Sequence, residues 1–267
     1  MGLEVERHED ILLLRFARPE ALNALDLATM RQLHDELCRF RDDPALIVAI
    51  LTGSGERAFC VGADLKQTPP PQTSYPAAYF APYAESVEQG NYIRAITINE
   101  LGINKPLLAA VNGHAVGGGL ELALSCDLRI ASPNATFGLP EPRWATVPGV
   151  GGASLLLRSV PPAVAMRMLL TGESIDAEEA YRVGLISDLV PAEELLDHAF
   201  AIARRIATNG PLAVQSVKTL AMRSAEMPLS QSIALEQLLW GLLRDTSDRV
   251  EGRRAYAERR PPKYSGH

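Results

Sequence analysis

Leu107-Leu108-Ala109-Ala110-Val111-Asn112-Gly113-His114-Ala115-Val116-Gly117-Gly118-Gly119-Leu120-Glu121 is the stretch that decides the architecture. Pro106 opens an uninterrupted apolar run over Leu107–Val111, which reads as a buried strand, and Asn112-Gly113 is a turn signal. The triple glycine then leads into an apolar helix beginning near Leu120, and Asp127 to Ala131 returns as a strand. Strand and helix alternate in this way several times before residue 190, which predicts a layered α/β core with predominantly parallel pairing.

Upstream, Leu3 to Phe16 is apolar on either side of His8-Glu9-Asp10 and reads as a β-hairpin with a buried second strand. Asp26 is placed to cap a helix from Leu27, where Met30, Leu33, Leu37 and Phe40 recur at helical spacing until Asp42-Asp43-Pro44. Leu46 to Leu51 is a buried strand, and Ala58-Phe59-Cys60-Val61 a short one running into a glycine bend. Lys66 to Pro82 holds five prolines and reads as a loop of little regular structure, a candidate pocket lid, followed by a helix from about Glu85 to Leu101. Beyond Pro191 the pattern is helical throughout, over Glu193–Thr208, Pro211–Ala225, Leu229–Arg244 and Val250–Arg259. We therefore expect one compact unit, an α/β core over 1–192 carrying a helical oligomerisation region over 193–267.

Composition excludes several function classes. The chain has 267 residues, 47% hydrophobic and 22% charged, an ordinary globular balance far from the disordered range. A net charge of −6 argues against a general nucleic-acid surface, and no stretch approaches membrane-spanning length. Cys38, Cys60 and Cys126 show no CxxC spacing, and the five histidines form no HExxH pair, so neither a disulfide framework nor a metal site is expected. The first residues, MGLEVERHED, read as neither a secretory signal nor a transit peptide, and a reducing cytoplasm fits best.

Three segments carry residues able to do chemistry. Gly117-Gly118-Gly119-Leu120-Glu121 lets backbone approach a ligand and leaves amides free at a helix N-terminus, as an oxyanion site requires; it serves equally as a tight turn with Glu121 complementing the helix dipole. Val61-Gly62-Ala63-Asp64-Leu65 is a second small-residue bend, which alone is no more than an aspartate-stabilised turn. Phe137-Gly138-Leu139-Pro140-Glu141-Pro142-Arg143-Trp144 holds a glutamate between two prolines, in surroundings that would raise its pKa toward acid/base range; taken singly it also reads as an exposed loop carboxylate beside Arg143.

Together these segments, with Arg18-Pro19-Glu20-Ala21-Leu22-Asn23-Ala24-Leu25 near the start and Glu251-Gly252-Arg253-Arg254-Ala255-Tyr256-Ala257-Glu258-Arg259-Arg260-Pro261-Pro262 near the end, resemble the crotonase superfamily, also known as the enoyl-CoA hydratase/isomerase family. The resemblance covers nearly the whole chain. It implies an α/β fold, a crotonase-like spiral of ββα units with a C-terminal helical region, and an acyl-CoA thioester as substrate. It assigns the thioester carbonyl to the backbone N–H groups of Val61 and Gly118, the acid/base pair to Glu121 and Glu141, twenty residues apart as in the family, and water positioning to Gly149. Coenzyme A contacts fall to Ala21, Leu22, Ala63, Asp64, Leu65, Lys66 and Lys263. No cofactor is implied beyond the coenzyme A of the substrate, no metal, no nucleic acid and no membrane, and assembly is expected as a homotrimer or homohexamer. The implied setting is fatty acid metabolism, β-oxidation in particular.

Two departures stand out. Glu20 occupies a position where many relatives have lysine, which removes an expected phosphate partner; Ala145 replaces a glycine frequent after the Pro-Glu motif, and its bulk is expected to narrow the acyl pocket or disturb the water. With both glutamates present, hydration of a 2-enoyl-CoA is the expected reaction. The alternatives are Δ3,Δ2-enoyl-CoA isomerisation and a catalytically silent acyl-CoA binder. A serine hydrolase or dinucleotide oxidoreductase lacks its signature: there is no GxSxG, and Gly149-Val150-Gly151-Gly152-Ala153-Ser154 ends in serine where the fingerprint needs glycine or alanine.

Overall fold

The computed structural model describes residues 2–67 and 73–267. Leu3–His8 (β1) and Ile11–Phe16 (β2) form the expected antiparallel hairpin. Asp26 caps helix α1 (Leu27–Asp42) by accepting the Thr29 N–H at 2.8 Å, and Met30, Leu33, Leu37 and Phe40 form its buried stripe. Val48–Gly53 (β3), Ala58–Cys60 (β4), Leu107–Val111 (β5), His114–Val116 (β6), Leu128–Ala131 (β7), Thr136–Gly138 (β8), Ile175–Asp176 (β9) and Asp188–Leu189 (β10) complete the strands. They divide into a sheet of order β1-β2-β3-β5-β7-β10, parallel from β2 onward, and a smaller one of order β4-β6-β8-β9. Each of β3, β5 and β7 in the large sheet is followed at once by a short strand of the small one, so the core is a spiral of ββα units.

Two stretches differ from expectation. Within Lys66–Pro82, Tyr75–Phe80 is helical (α2), with Pro76 in the first turn, where a missing N–H costs nothing. The consecutive prolines Pro69, Pro70 and Pro71 lie outside the described residues. The single helix expected over Glu85–Leu101 is divided: α3 (Tyr83–Glu88) stops before Gly90, whose φ of 105° no helix accommodates, and the chain continues as 3-10 turns over Tyr92–Ile96 and Ile98–Glu100.

The remaining helices are α4 (Gly118–Leu124), α5 (Gly152–Ser159), α6 (Pro162–Thr171), α7 (Ala177–Arg182), α8 (Leu195–Ala207), α9 (Pro211–Ser224), α10 (Leu229–Arg244) and α11 (Ser247–Glu258). Successive residues of the large sheet alternate between two apolar clusters, as buried parallel strands require. Ile11, Leu13, Val48, Ile50, Leu108 and Ala110 meet Leu195, Ala199, Phe200 and Ala203 of α8. Leu12, Leu14, Ala49, Leu51 and Ala109 meet α1 and the small sheet. The two helices α9 and α10 bury none of their residues. The tail after α11 folds back on it, with Asp248 accepting the N–H groups of Ser265 and Gly266 at 2.7 and 2.9 Å. Among the described residues, no helix is long and apolar enough to cross a membrane.

Candidate active site

The strands β4, β6 and β8 are neighbours and parallel, so their carboxyl ends emerge along one edge of the small sheet. Each end continues directly into a site segment: Val61-Gly62 after β4, Gly117-Gly118 after β6, and Leu139-Pro140-Glu141 after β8. Residues that lie far apart in sequence are thereby brought together, the same logic that places ligands at strand carboxyl ends in other parallel sheets.

The first two segments touch. A Cβ on Gly62 would lie 2.8 Å from the Gly118 nitrogen, and one on Gly118 would lie 3.3 Å from the Gly62 Cα. Gly62 and Gly117 also have φ of +83° and +56°, so both turns need residues without a side chain. Gly119 serves packing, since a Cβ there would collide with the Cys60 carbonyl. Gly118 is the first residue of α4, where an N–H has no intrahelical acceptor. Among the described residues no protein acceptor takes the N–H of Val61 or of Gly118. Two adjacent, unengaged amides on crossing turns form a donor pair suited to a developing oxyanion.

Glu121 projects from the first turn of α4 and is 3% exposed. Its Oε1 accepts the N–H groups of Val150 and Gly152 at 2.7 and 2.8 Å. Burial raises its pKa, while the backbone amides of Gly152, Val150 and Gly149 pull it back. Gly149, expected to position water, thus has its amide among the groups that favour the Glu121 carboxylate. Glu141 opens the 3-10 turn Glu141–Trp144 and is half-buried, and its Oε2 is fully buried with no hydrogen-bond partner. Its Oε1 lies 3.2 Å from where a Gly117 Cβ would stand. Burial raises its pKa, and the charge of Glu121 raises it further. The two carboxyl groups therefore share one site, one held by amides and the other with an unpaired oxygen.

The 3-10 turn Tyr92–Ile96 walls this region. The Ile96 Cδ1 is 3.5 Å from a Cβ built on Gly118, and the Ile93 Cγ2 is 3.3 Å from one built on Gly149. Neither isoleucine was singled out by sequence, because a 3-10 turn of five residues has too little periodicity to show which side faces a cleft.

Of the residues expected to contact coenzyme A, Ala21, Leu22, Ala63, Asp64, Leu65 and Lys66 belong to two segments that are tied together. Leu25 donates its N–H to the Gly62 carbonyl at 2.8 Å and accepts from the Asp64 N–H at 2.9 Å. Asp64 is itself buried and bonded to Arg18 at 2.9 Å, which holds its carboxyl below the usual range, so its side chain braces this junction. Leu22 and the buried Asn23 both have left-handed φ, and Asn23 donates to the Ser54 and Ala58 carbonyls at 3.0 and 2.7 Å. Arg18 and Asn23 are thus structural members of the site that sequence reading passed over, although both stood in the quoted Arg-Pro segment. Leu65 and Lys66 are exposed. Lys263 lies in the C-terminal tail, where its N–H bonds Glu251 and its neighbours include Arg254 and Arg260. No hydrogen bond or ion pair among the described residues joins it to the segment around Asp64.

Ala145 follows the 3-10 turn Glu141–Trp144. Its side chain is exposed, and its backbone is left-handed at φ 56°, ψ 36° as it closes the Glu141 turn. The added methyl therefore costs backbone strain. Among the described residues no group of three or more His, Cys, Asp or Glu is placed to hold a metal ion.

The family model of enoyl-CoA hydratase/isomerase matches residues 6–267. The chain is 47% identical over 264 residues to the (E)-benzylidenesuccinyl-CoA hydratase of Thauera aromatica, covering 99% of this chain and 98% of that protein. It is 39% identical to the 2,3-dehydroadipyl-CoA hydratase of Escherichia coli strain K12, with the same coverage. The crystal structure of an enoyl-CoA hydratase from Bacillus anthracis superimposes with a TM-score of 0.89 at 33% identity, covering all of both chains. The chain belongs to the enoyl-CoA hydratase/isomerase family, the crotonase superfamily, and is an enzyme of its hydratase type.

Proposed function

We propose that the enzyme adds water across the 2,3 double bond of a 2-enoyl-CoA thioester to give the 3-hydroxyacyl-CoA. The observation that carries this reading is the pair of carboxyl groups, one clamped by backbone N–H donors and one with a buried unpaired oxygen, beside two unengaged amides. The thioester oxygen accepts from the Val61 and Gly118 N–H groups. Water held between the glutamates attacks C3, giving one proton to Glu121, and the π electrons pass to an enolate whose oxygen the two amides stabilise. Glu141 delivers its proton to C2, and exchange with solvent restores both groups. Burial raises both pKa values; amide donors oppose that rise at Glu121 and favour it as the base, whereas the neighbouring charge adds to it at Glu141 and favours it as the acid.

This reading uses no cofactor beyond the coenzyme A of the substrate, with Ala21, Leu22, Ala63, Asp64, Leu65 and Lys66 as its contacts. It includes a homotrimer or homohexamer, supported by the exposure of Leu229, Leu238, Trp240 and Leu242 on a helix that buries nothing within its own chain. A cytoplasmic setting is supported by three free thiols. The test is loss of enoyl-thioester absorbance with crotonyl-CoA and a series of longer 2-enoyl-CoAs. Conversion of 3-enoyl substrates without hydration of any 2-enoyl one would replace the reading with isomerisation. Efficient turnover along the straight-chain series would fit a role in fatty acid β-oxidation.

A further inference from the structure

Ile93 and Ile96 are three residues apart on the 3-10 turn Tyr92–Ile96, and in such a turn side chains at i and i+3 eclipse, about 6 Å apart along the axis. They form one apolar stripe whose two ends meet different parts of the site. At one end the Ile96 Cδ1 packs against Gly118, whose N–H is one of the two unengaged donors. At the other, the three atoms nearest a Cβ built on Gly149 all belong to Ile93: Cγ2 at 3.3 Å, Cδ1 at 3.6 Å and Cβ at 3.9 Å. The Gly149 amide is in turn among those that favour the Glu121 carboxylate. The stripe thus runs from the donor pair to the loop that holds Glu121.

This stripe is held in place. Ala95 and Ile96 are buried, and the Thr97 hydroxyl donates to the Ile93 carbonyl at 2.8 Å. On another side of the turn the Arg94 guanidinium lies over the Tyr83 ring, 5.7 Å from its centroid. Isoleucine is branched at Cβ and stiff at χ1, so the Ile93 Cγ2 has few other positions to take. Yet Ile93 is only half-buried and Gly149 is exposed, so the uncovered part of this side chain borders the cleft. A fixed methyl group therefore occupies room beside the place where the proposed water meets C3.

We propose that Ile93 is a specificity-determining residue of the acyl site: its Cγ2 methyl leaves room for one substituent on C3 and turns away 2-enoyl thioesters that carry a second. This inference rests on the hydratase reading, which brings C3 to the water beside Glu121, and deepens it by naming the substitution pattern of the substrate.

A doubly substituted C3 is also a poorer electrophile, so saturated thioesters isolate the steric part. The test is calorimetric binding of butyryl-CoA and 3-methylbutyryl-CoA to wild type, Ile93→Val, Ile93→Leu, Ile93→Ala and Ile96→Val. One misplaced methyl in an apolar site is worth roughly 10- to 100-fold, and wild type is expected to prefer butyryl-CoA by about that factor. Ile93→Val keeps Cγ2 and should keep the preference. Ile93→Leu and Ile93→Ala remove the branch and should bring the two thioesters within about threefold of each other. Leucine conserves the volume of isoleucine, so Ile93→Leu tests the branch with least disturbance of the fold. Ile96→Val trims the far end of the stripe and should leave the preference in place. Equal binding by wild type overturns the proposal, as does a preference that survives Ile93→Ala or is lost as fully in Ile96→Val. Crotonyl-CoA turnover in the same samples separates the two ideas. A preference governed by Ile93 without hydration of any 2-enoyl-CoA would keep the steric role and remove the hydratase reading. Hydration of crotonyl-CoA with no such preference would do the reverse.

Discussion

Glu121 and Glu141 are two residues of one type in unequal surroundings, and that inequality bears on stability as well as on the proposed chemistry. A carboxyl whose pKa is raised by folding binds its proton more tightly in the native state, so its contribution to stability falls as pH rises from the unfolded value through the folded one. At neutral pH each glutamate is therefore a destabilising presence. Glu141→Gln is expected to lower kcat by about 10²- to 10⁴-fold. The same change should raise the unfolding midpoint at pH 7, and the gain over wild type should shrink as pH is lowered toward the ordinary glutamate pKa of about 4.3. Parallel kinetics and thermal denaturation across pH measure both, and a destabilised Glu141→Gln at pH 7 would contradict the assignment. Ala145 offers a change without an expected catalytic cost. Ala145→Gly relieves a left-handed φ and should stabilise by about 0.5–1 kcal/mol in urea denaturation, the relief being partly offset by the freedom glycine gains when unfolded.

At the scale of elements, the turn joining β6 to α4 concentrates the demands of the site. Gly119→Ala would drive a methyl into the Cys60 carbonyl, displacing β4 and with it the Val61 amide. Loss of about 2–3 kcal/mol is expected, together with a drop in kcat of roughly 10²-fold or more, because the donor pair is spread apart. Folded, fully active Gly119→Ala in circular dichroism and turnover assays would refute that coupling. Much of the scaffold was legible in sequence because its signals are local. Asp26 with the Met30, Leu33, Leu37 and Phe40 stripe marked α1, and the run Leu107–Val111 marked β5. The short strands β6 and β9 gave no such signal, since two or three residues show no periodicity and are defined by partners distant in sequence. Gly90 was visible but its left-handed φ was not, so two shorter pieces were read as one helix. The meeting of Glu121 with Glu141 came from resemblance to a family and not from any spacing, because adjacency of β6 and β8 is a property of the assembled sheet.

Across the whole molecule the apolar surface is unevenly placed. Leu238 and Leu242 on α10 are 59% and 65% exposed, while α8 is packed firmly against the large sheet. Substituting both leucines with glutamate should leave the fold of a single chain nearly untouched, since neither is buried within it, yet should dissociate an assembly built on that helix. Light scattering of the double variant against wild type decides this: equal masses would mean that α10 takes no part in association. The small sheet divides labour between its strand ends. The amides proposed to hold the thioester follow β4 and β6, the second of them on the helix that also carries Glu121, and the proposed proton donor follows β8. Only the β8 turn carries a reacting group apart from the proposed grip, so a descendant could rewrite that turn, acquiring a new reaction or none, while still holding the same class of activated acid.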